Sequence, residues 1–152
     1  MIYSERLKYL REEQEITQNE LANLLQIHFA TYSQFEREYT IIPIKKLNIL
    51  ANFFHVSIDY LFGFTSIKQY NNSKREINLN ISGERLKEFR KENKITQVKL
   101  ANVLNTTQSN IVGYEKGKFI IATPYLYTIC KKYNISADYL LGKTDTPKYL
   151  NK

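Results

Sequence analysis

The sequence predicts an all-α protein built as two tandem five-helix domains joined by a short linker, and three observations carry that expectation. First, residues 2–66 align without a gap on residues 81–145 at an offset of 79, with 24 of the 65 pairs identical. That period exceeds the roughly 20–50 residues of most solenoid repeats, so each copy reads as an autonomous domain. Second, apolar residues recur at helical spacing in both copies, punctuated by capping and turn residues. Third, about 65 residues is near the lower limit for a self-sufficient core, which short packed helices reach most readily. The expected boundaries are 1–66, a linker 67–80, then 81–145 and a C-terminal tail 146–152.

In the first copy a helix begins near Ser4 or Glu5, with Leu7, Leu10 and Arg11 at helical spacing. Thr17 can cap a second helix whose apolar face is Leu21, Ala22, Leu24 and Leu25. The turn Gln26-Ile27-His28 leads into a third, Phe29–Glu36. A fourth spans 44–54, with Leu47, Leu50, Ala51 and Phe54 inward. Ser57 caps a short fifth helix, 58–62, that Gly63 stops, and Asp59 in its first turn suits the helix dipole. The same five recur 79 residues later. There Gly117 ends the third helix, and Thr123-Pro124 opens the fourth with a cap and a first-turn proline. The first copy has Glu38 opposite Gly117, which predicts a different loop.

Within the linker, Ile77-Asn78-Leu79-Asn80-Ile81 alternates with period two, a strand signal. A lone strand has no partner in a helical chain. The segment therefore reads either as an extended linker on a domain surface or as a short strand pairing with its equivalent in a second chain.

Composition excludes several classes. The single cysteine, Cys130, rules out an internal disulfide framework; it aligns with Ala51 and reads as a small core residue. No apolar run approaches the ~20 residues of a membrane span, and Met1-Ile2-Tyr3-Ser4-Glu5-Arg6 lacks a signal-peptide pattern. A soluble cytoplasmic chain with no membrane partner is expected. His28 and His55 are the only histidines, and neither a metal-ligand spacing nor a glycine-rich phosphate loop occurs. No catalytic residue, metal or cofactor is expected, and an enzyme reading has nothing to stand on.

The net charge of +7 points to an anionic partner, and its distribution sharpens the point. Residues 1–66 carry 6 Lys/Arg against 8 Asp/Glu, residues 67–80 carry 3 against 1, and residues 81–152 carry 13 against 6. The chain is rich in Ile, Lys, Asn and Tyr, but a shared compositional bias does not explain a contrast between its own two copies.

The second copy reads Thr96-Gln97-Val98-Lys99-Leu100-Ala101-Asn102-Val103-Leu104, then Asn105-Thr106-Thr107, then Gln108-Ser109-Asn110-Ile111-Val112-Gly113-Tyr114-Glu115-Lys116-Gly117. This resembles the helix-turn-helix of phage lambda repressor/Cro-like regulators, the XRE family. The strings Ser136-Ala137-Asp138-Tyr139-Leu140-Leu141-Gly142 and Ser57-Ile58-Asp59-Tyr60-Leu61-Phe62-Gly63 are similar to that family's ending. The resemblance covers nearly all of both copies. It implies five-helix bundles that bind operator double-stranded DNA and usually repress transcription. It also implies that Arg11 with Glu36, and Arg90 with Glu115, are structural ion pairs tying the first helix to the third.

The residues support that expectation. Gln108, Ser109 and Asn110 place three polar hydrogen-bonding side chains at a helix start; glutamine and asparagine can bond the adenine edge in the major groove. Thr107 can cap that helix and touch phosphate. Gln97 opens the preceding helix, where its amide and the free backbone N–H groups can hold a phosphate. Lys99, Lys116 and Lys118 flank these positions as phosphate neutralisers, each adding about 0.9 to the salt dependence. Ala22 and Ala101 are small where helices cross closely.

The first copy departs at these positions. Opposite Gln108-Ser109-Asn110 it has Phe29-Ala30-Thr31, preceded by His28, and Glu12, Glu15 and Glu20 replace Lys91, Lys94 and Lys99. Two accounts compete. In one, Gln18, Phe29, Thr31 and Gln34 read a half-site weakly, with affinity lent by the second copy. In the other, this face has lost DNA and serves a protein or regulatory ligand. A protein-interaction module of the antitoxin or antirepressor kind is the competing function.

Half-sites one turn apart lie about 34 Å centre to centre. A 14-residue linker fully extended spans about 46 Å. One chain could therefore reach both half-sites, as could a homodimer of second copies; the homodimer is favoured here.

Overall fold

The computed structural model describes residues 3–148, which are helical with no strand among them. Ten α-helices follow in order: α1 Tyr3–Glu13, α2 Gln18–Leu25, α3 Phe29–Glu36, α4 Ile44–Phe53, α5 Ile58–Leu61, α6 Leu79–Glu92, α7 Gln97–Leu104, α8 Gln108–Glu115, α9 Thr123–Tyr133 and α10 Ala137–Leu140. The chain divides into two units between Gln69 and Tyr70, with α1–α5 in the first and α6–α10 in the second. No helix among the described residues is long and apolar enough to cross a membrane.

In the first unit, Leu7 and Leu10 of α1, Leu21 and Leu25 of α2 and Leu47 and Leu50 of α4 are buried. Each such side chain contributes about 1.5–3 kcal/mol on leaving water. Ala22 is fully buried, as a close helix crossing requires. A capping box opens α2: the Glu20 N–H donates to the Thr17 hydroxyl at 3.1 Å, and the Thr17 N–H donates to the Glu20 carboxylate at 2.7 Å. Arg6 ties the last helix to the first. Its guanidinium donates to the carbonyls of Tyr60 and Thr65 and lies 4.4 Å from the Tyr60 ring centre.

The second unit repeats these devices with an offset of 79. Arg85 donates to the Tyr139 carbonyl at 2.7 Å and the Thr144 carbonyl at 2.6 Å, and sits 4.1 Å from the Tyr139 ring centre. Left-handed residues pair off as Glu15 with Lys94, Gln26 with Asn105, Glu38 with Gly117, His55 with Asn134 and Gly63 with Gly142. The repeat also outruns the sequence alignment. The Ser57 N–H donates to the Lys68 carbonyl at 2.6 Å, and the Ser136 N–H donates to the Pro147 carbonyl at 2.8 Å. Residues 146–148 of the expected tail are thus docked on the second unit, while 149–152 lie outside the described residues.

Two expectations are corrected. Residues 77–81 do not form a strand: Asn78 accepts the Ile81 N–H at 3.0 Å and caps α6, which starts at Leu79. Local capping chemistry outweighs a period-two pattern of five residues that has no sheet to join. The loop after α3 does not differ as expected, because Glu38 adopts φ 63° where Gly117 has φ 71°. Within the segment 67–80, Lys68 is bonded into the first unit, while the Lys74 N–H donates to the Lys143 carbonyl at 2.7 Å and the Asn78 N–H to the Leu141 carbonyl at 3.0 Å, and Tyr70 is buried.

Candidate nucleic-acid interface

In the second unit α7 and α8 form the helix-turn-helix. Thr96 caps α7, accepting the Lys99 N–H at 3.1 Å, and Asn105 closes it in a left-handed turn. Thr107 caps α8, accepting the Asn110 N–H at 3.2 Å. Ile111 and Tyr114 are buried, and Glu115 turns inward to Arg90. At 100° per residue, the opposite face carries Ser109, Gly113 and Lys116, with Gln108 and Val112 at its margins.

A polar relay runs from the interior to the first residue of α8. Arg90 Nε donates to Glu115 at 2.6 Å, its Nη2 at 3.1 Å and its Nη1 to the Ile95 carbonyl at 3.0 Å. Its hydrogen bond to Glu115 holds the guanidinium pKa above its ordinary value, against the opposing effect of burial. Gln97 Nε2 donates to Glu115 at 3.2 Å, and Gln97 Oε1 accepts from Gln108 Nε2 at 3.4 Å. The side chain of Gln97, the residue expected to hold a phosphate, is bonded to Glu115 and to Gln108.

The other residues singled out from the sequence fall unevenly. Gln108, Ser109 and Thr107 are exposed, as are Lys99, Lys116 and Lys118 around them. Asn110 is half-buried, and its Nδ2 donates to the Thr106 hydroxyl at 2.8 Å, so it braces the turn rather than facing outward. Two residues that the sequence reading passed over complete the face. Gly113 points outward yet is buried, because the Phe119 ring lies on it: a Cβ there would meet Phe119 Cζ at 2.2 Å. The ring packs edge-on against Tyr114 at 5.3 Å, and the Lys118 N–H donates to the Gly113 carbonyl at 3.0 Å. A glycine inside a helix, about 1 kcal/mol less favourable than alanine, is the signal that pointed to it.

The first unit keeps the support and changes the surface. Arg11 Nε donates to Glu36 at 2.9 Å, and Gln18 Nε2 donates to the same carboxylate at 3.2 Å. Gln18 is thus turned inward like Gln97, but Phe29 follows where Gln108 would continue the relay. His28 precedes α3 without a side-chain capping bond. Gln34 is exposed at the counterpart of Gly113, Thr31 is half-buried, and Thr40 replaces Phe119. Among the described residues, large apolar side chains stand exposed at Tyr9, Leu24, Phe29, Tyr39, Ile41, Ile49 and Phe53, but in the second unit only at Val98 and Phe119. Among the described residues no group of three or more His, Cys, Asp or Glu could hold a metal.

Two family models match the chain: a helix-turn-helix over residues 7–61 and a helix-turn-helix domain over residues 83–146. The uncharacterized HTH-type transcriptional regulator YobD of Bacillus subtilis (strain 168) is 38% identical over 64 residues, 42% of this chain and 57% of that protein. The HTH-type transcriptional regulator ImmR of the same organism is 39% identical over 66 residues, 43% of this chain and 52% of that protein. Antitoxin PezA of Streptococcus pneumoniae serotype 4 is 28% identical over 61 residues, 40% of this chain and 39% of that protein. The matches thus span roughly half the length of the curated relatives. No solved structure matches. Two helix pairs, each anchored by the same arginine–glutamate–glutamine cluster and each matched by a helix-turn-helix model, place the chain among the XRE-type helix-turn-helix proteins, with two such domains in tandem.

Proposed function

We propose that this chain is a sequence-specific double-stranded DNA-binding transcriptional regulator, acting as a repressor in the cytoplasm, whose second unit reads the major groove with α8. The observation that carries the reading is the outward face of α8, where Gln108 and Ser109 stand exposed among Lys99, Lys116 and Lys118 on the basic half of the chain. Glutamine suits the adenine edge, serine adapts to several bases, and the lysines neutralise backbone phosphates. Two copies of the chain supply two such faces to a two-fold operator. The test is selection of bound duplexes from a random pool by the full chain, followed by titration of affinity against salt. Three lysine contacts give a log–log slope of about −3. Absence of duplex binding at moderate salt overturns the reading.

A second reading has its own support. The first unit combines exposed Phe29, Tyr39 and Ile41 with Glu20 in place of Lys99, a surface suited to protein rather than phosphate. An antitoxin-like module, with the first unit as the interaction or regulatory domain, predicts that the second unit's lysines can be replaced without loss of function.

A further inference from the structure

The outward face of α8 has a gap at its centre that another part of the chain fills. Ser109, Gly113 and Lys116 lie along the line opposite the buried Ile111 and Tyr114, so residue 113 is where a side chain would meet a base. It is a glycine. Phe119 reaches back from the following loop and lays its ring there, with Cζ, Cε1 and Cε2 at 2.2, 2.8 and 2.8 Å from the position a Cβ would take. The ring is held edge-on by Tyr114 at 5.3 Å, and the loop by the bond from the Lys118 N–H to the Gly113 carbonyl at 3.0 Å. Even so, Phe119 stays 46% exposed, with half-buried Val112 beside Gly113 in sequence.

We infer that Phe119, seated on Gly113, is a specificity-determining residue that receives thymine methyl groups in the major groove. The inference rests on the DNA-binding reading above. An apolar surface on a recognition helix has one distinctive partner among the base edges, the 5-methyl of thymine, which is the only methyl group on the four bases. The polar first turn with Gln108 then reads adenine edges, and the apolar centre reads the thymines. The first unit has Ser33, Gln34 and Thr40 at the counterparts of Val112, Gly113 and Phe119, so this device belongs to the second unit alone.

The test uses the full chain and its own selected duplex, with thymines replaced one at a time by deoxyuridine. That exchange removes the methyl and leaves the pairing edges unchanged. The unaltered protein is expected to lose about four-fold in affinity at one or more positions, the worth of one buried methyl. Phe119→Ala should abolish that sensitivity while leaving the thermal midpoint of the chain nearly unchanged. Gly113→Ala should do the same by a different route, since its Cβ displaces the ring while the helix gains propensity. Phe119→Leu should retain part of the sensitivity. A protein indifferent to every deoxyuridine, or variants that keep the full four-fold loss, overturns the inference while leaving the DNA reading intact. Failure to bind any duplex overturns both.

Discussion

The Gln97 side chain makes contacts that its place at the start of a helix does not disclose. Its position at the start of α7 suggested a phosphate, yet its amide nitrogen is bonded to Glu115, 18 residues on, and its oxygen accepts from Gln108. Those partners sit on other helices, so no local pattern disclosed them, whereas the Arg90–Glu115 pair, which recurs at Arg11 and Glu36, was implied by the resemblance to lambda repressor/Cro-like regulators. Gln97→Ala should therefore weaken operator binding several-fold by freeing Gln108, without lowering the salt slope. Lys118→Ala should lower that slope by about 0.9 for all sequences alike. A fluorescence titration over a range of salt separates the two; equal slope changes would refute the assignment. Tyr32 is fully buried in the first unit, and that burial, with the nearby Glu36 carboxylate, raises its pKa far above the usual phenol range.

At the scale of elements, the helices were legible because caps and apolar spacing agree, from Thr17 and Ser57 to Thr96 and Ser136. The first turn of α6 was not. Leu79 and Ile81 are both half-buried, so their alternation mimics a strand until the Asn78 cap is seen to organise it. The loop after α3 teaches the converse lesson. A glycine at 117 and a glutamate at 38 suggested two different turns, but packing imposes one left-handed geometry on both. That geometry costs a non-glycine residue about 1–2 kcal/mol. Gly117→Ala should accordingly destabilise the second unit by about that much, compounded by a Cβ only 2.9 Å from Asn80 Oδ1. Glu38→Asn should stabilise the first by some tenths, since asparagine tolerates the left-handed region. Paired thermal melts check both signs, and a neutral Gly117→Ala would show that the loop can take another path.

For the molecule as a whole, duplication made the fold readable while leaving the division of labour to the surface. Both units hold an arginine–glutamate–glutamine cluster, but only in the second does it lead outward through Gln108 to a polar and basic face. Within the segment joining them, Lys68 is bonded to the first unit and Lys74 to the second. On the proposed reading, in which the second unit is the reader, the two half-sites of an operator take two chains. Selected duplexes should then show a palindrome whose halves repeat at about 34 Å, one helical turn. Sedimentation of the complex should give two chains per duplex, and a duplex carrying one half-site should bind far more weakly, because the second contact acts at high effective concentration. A consensus with dissimilar halves, occupied by a single chain, would mean that Phe29, Thr31 and Gln34 do read DNA. The acidic first unit would then be a second reader, with Glu12, Glu15 and Glu20 tolerated near the phosphates.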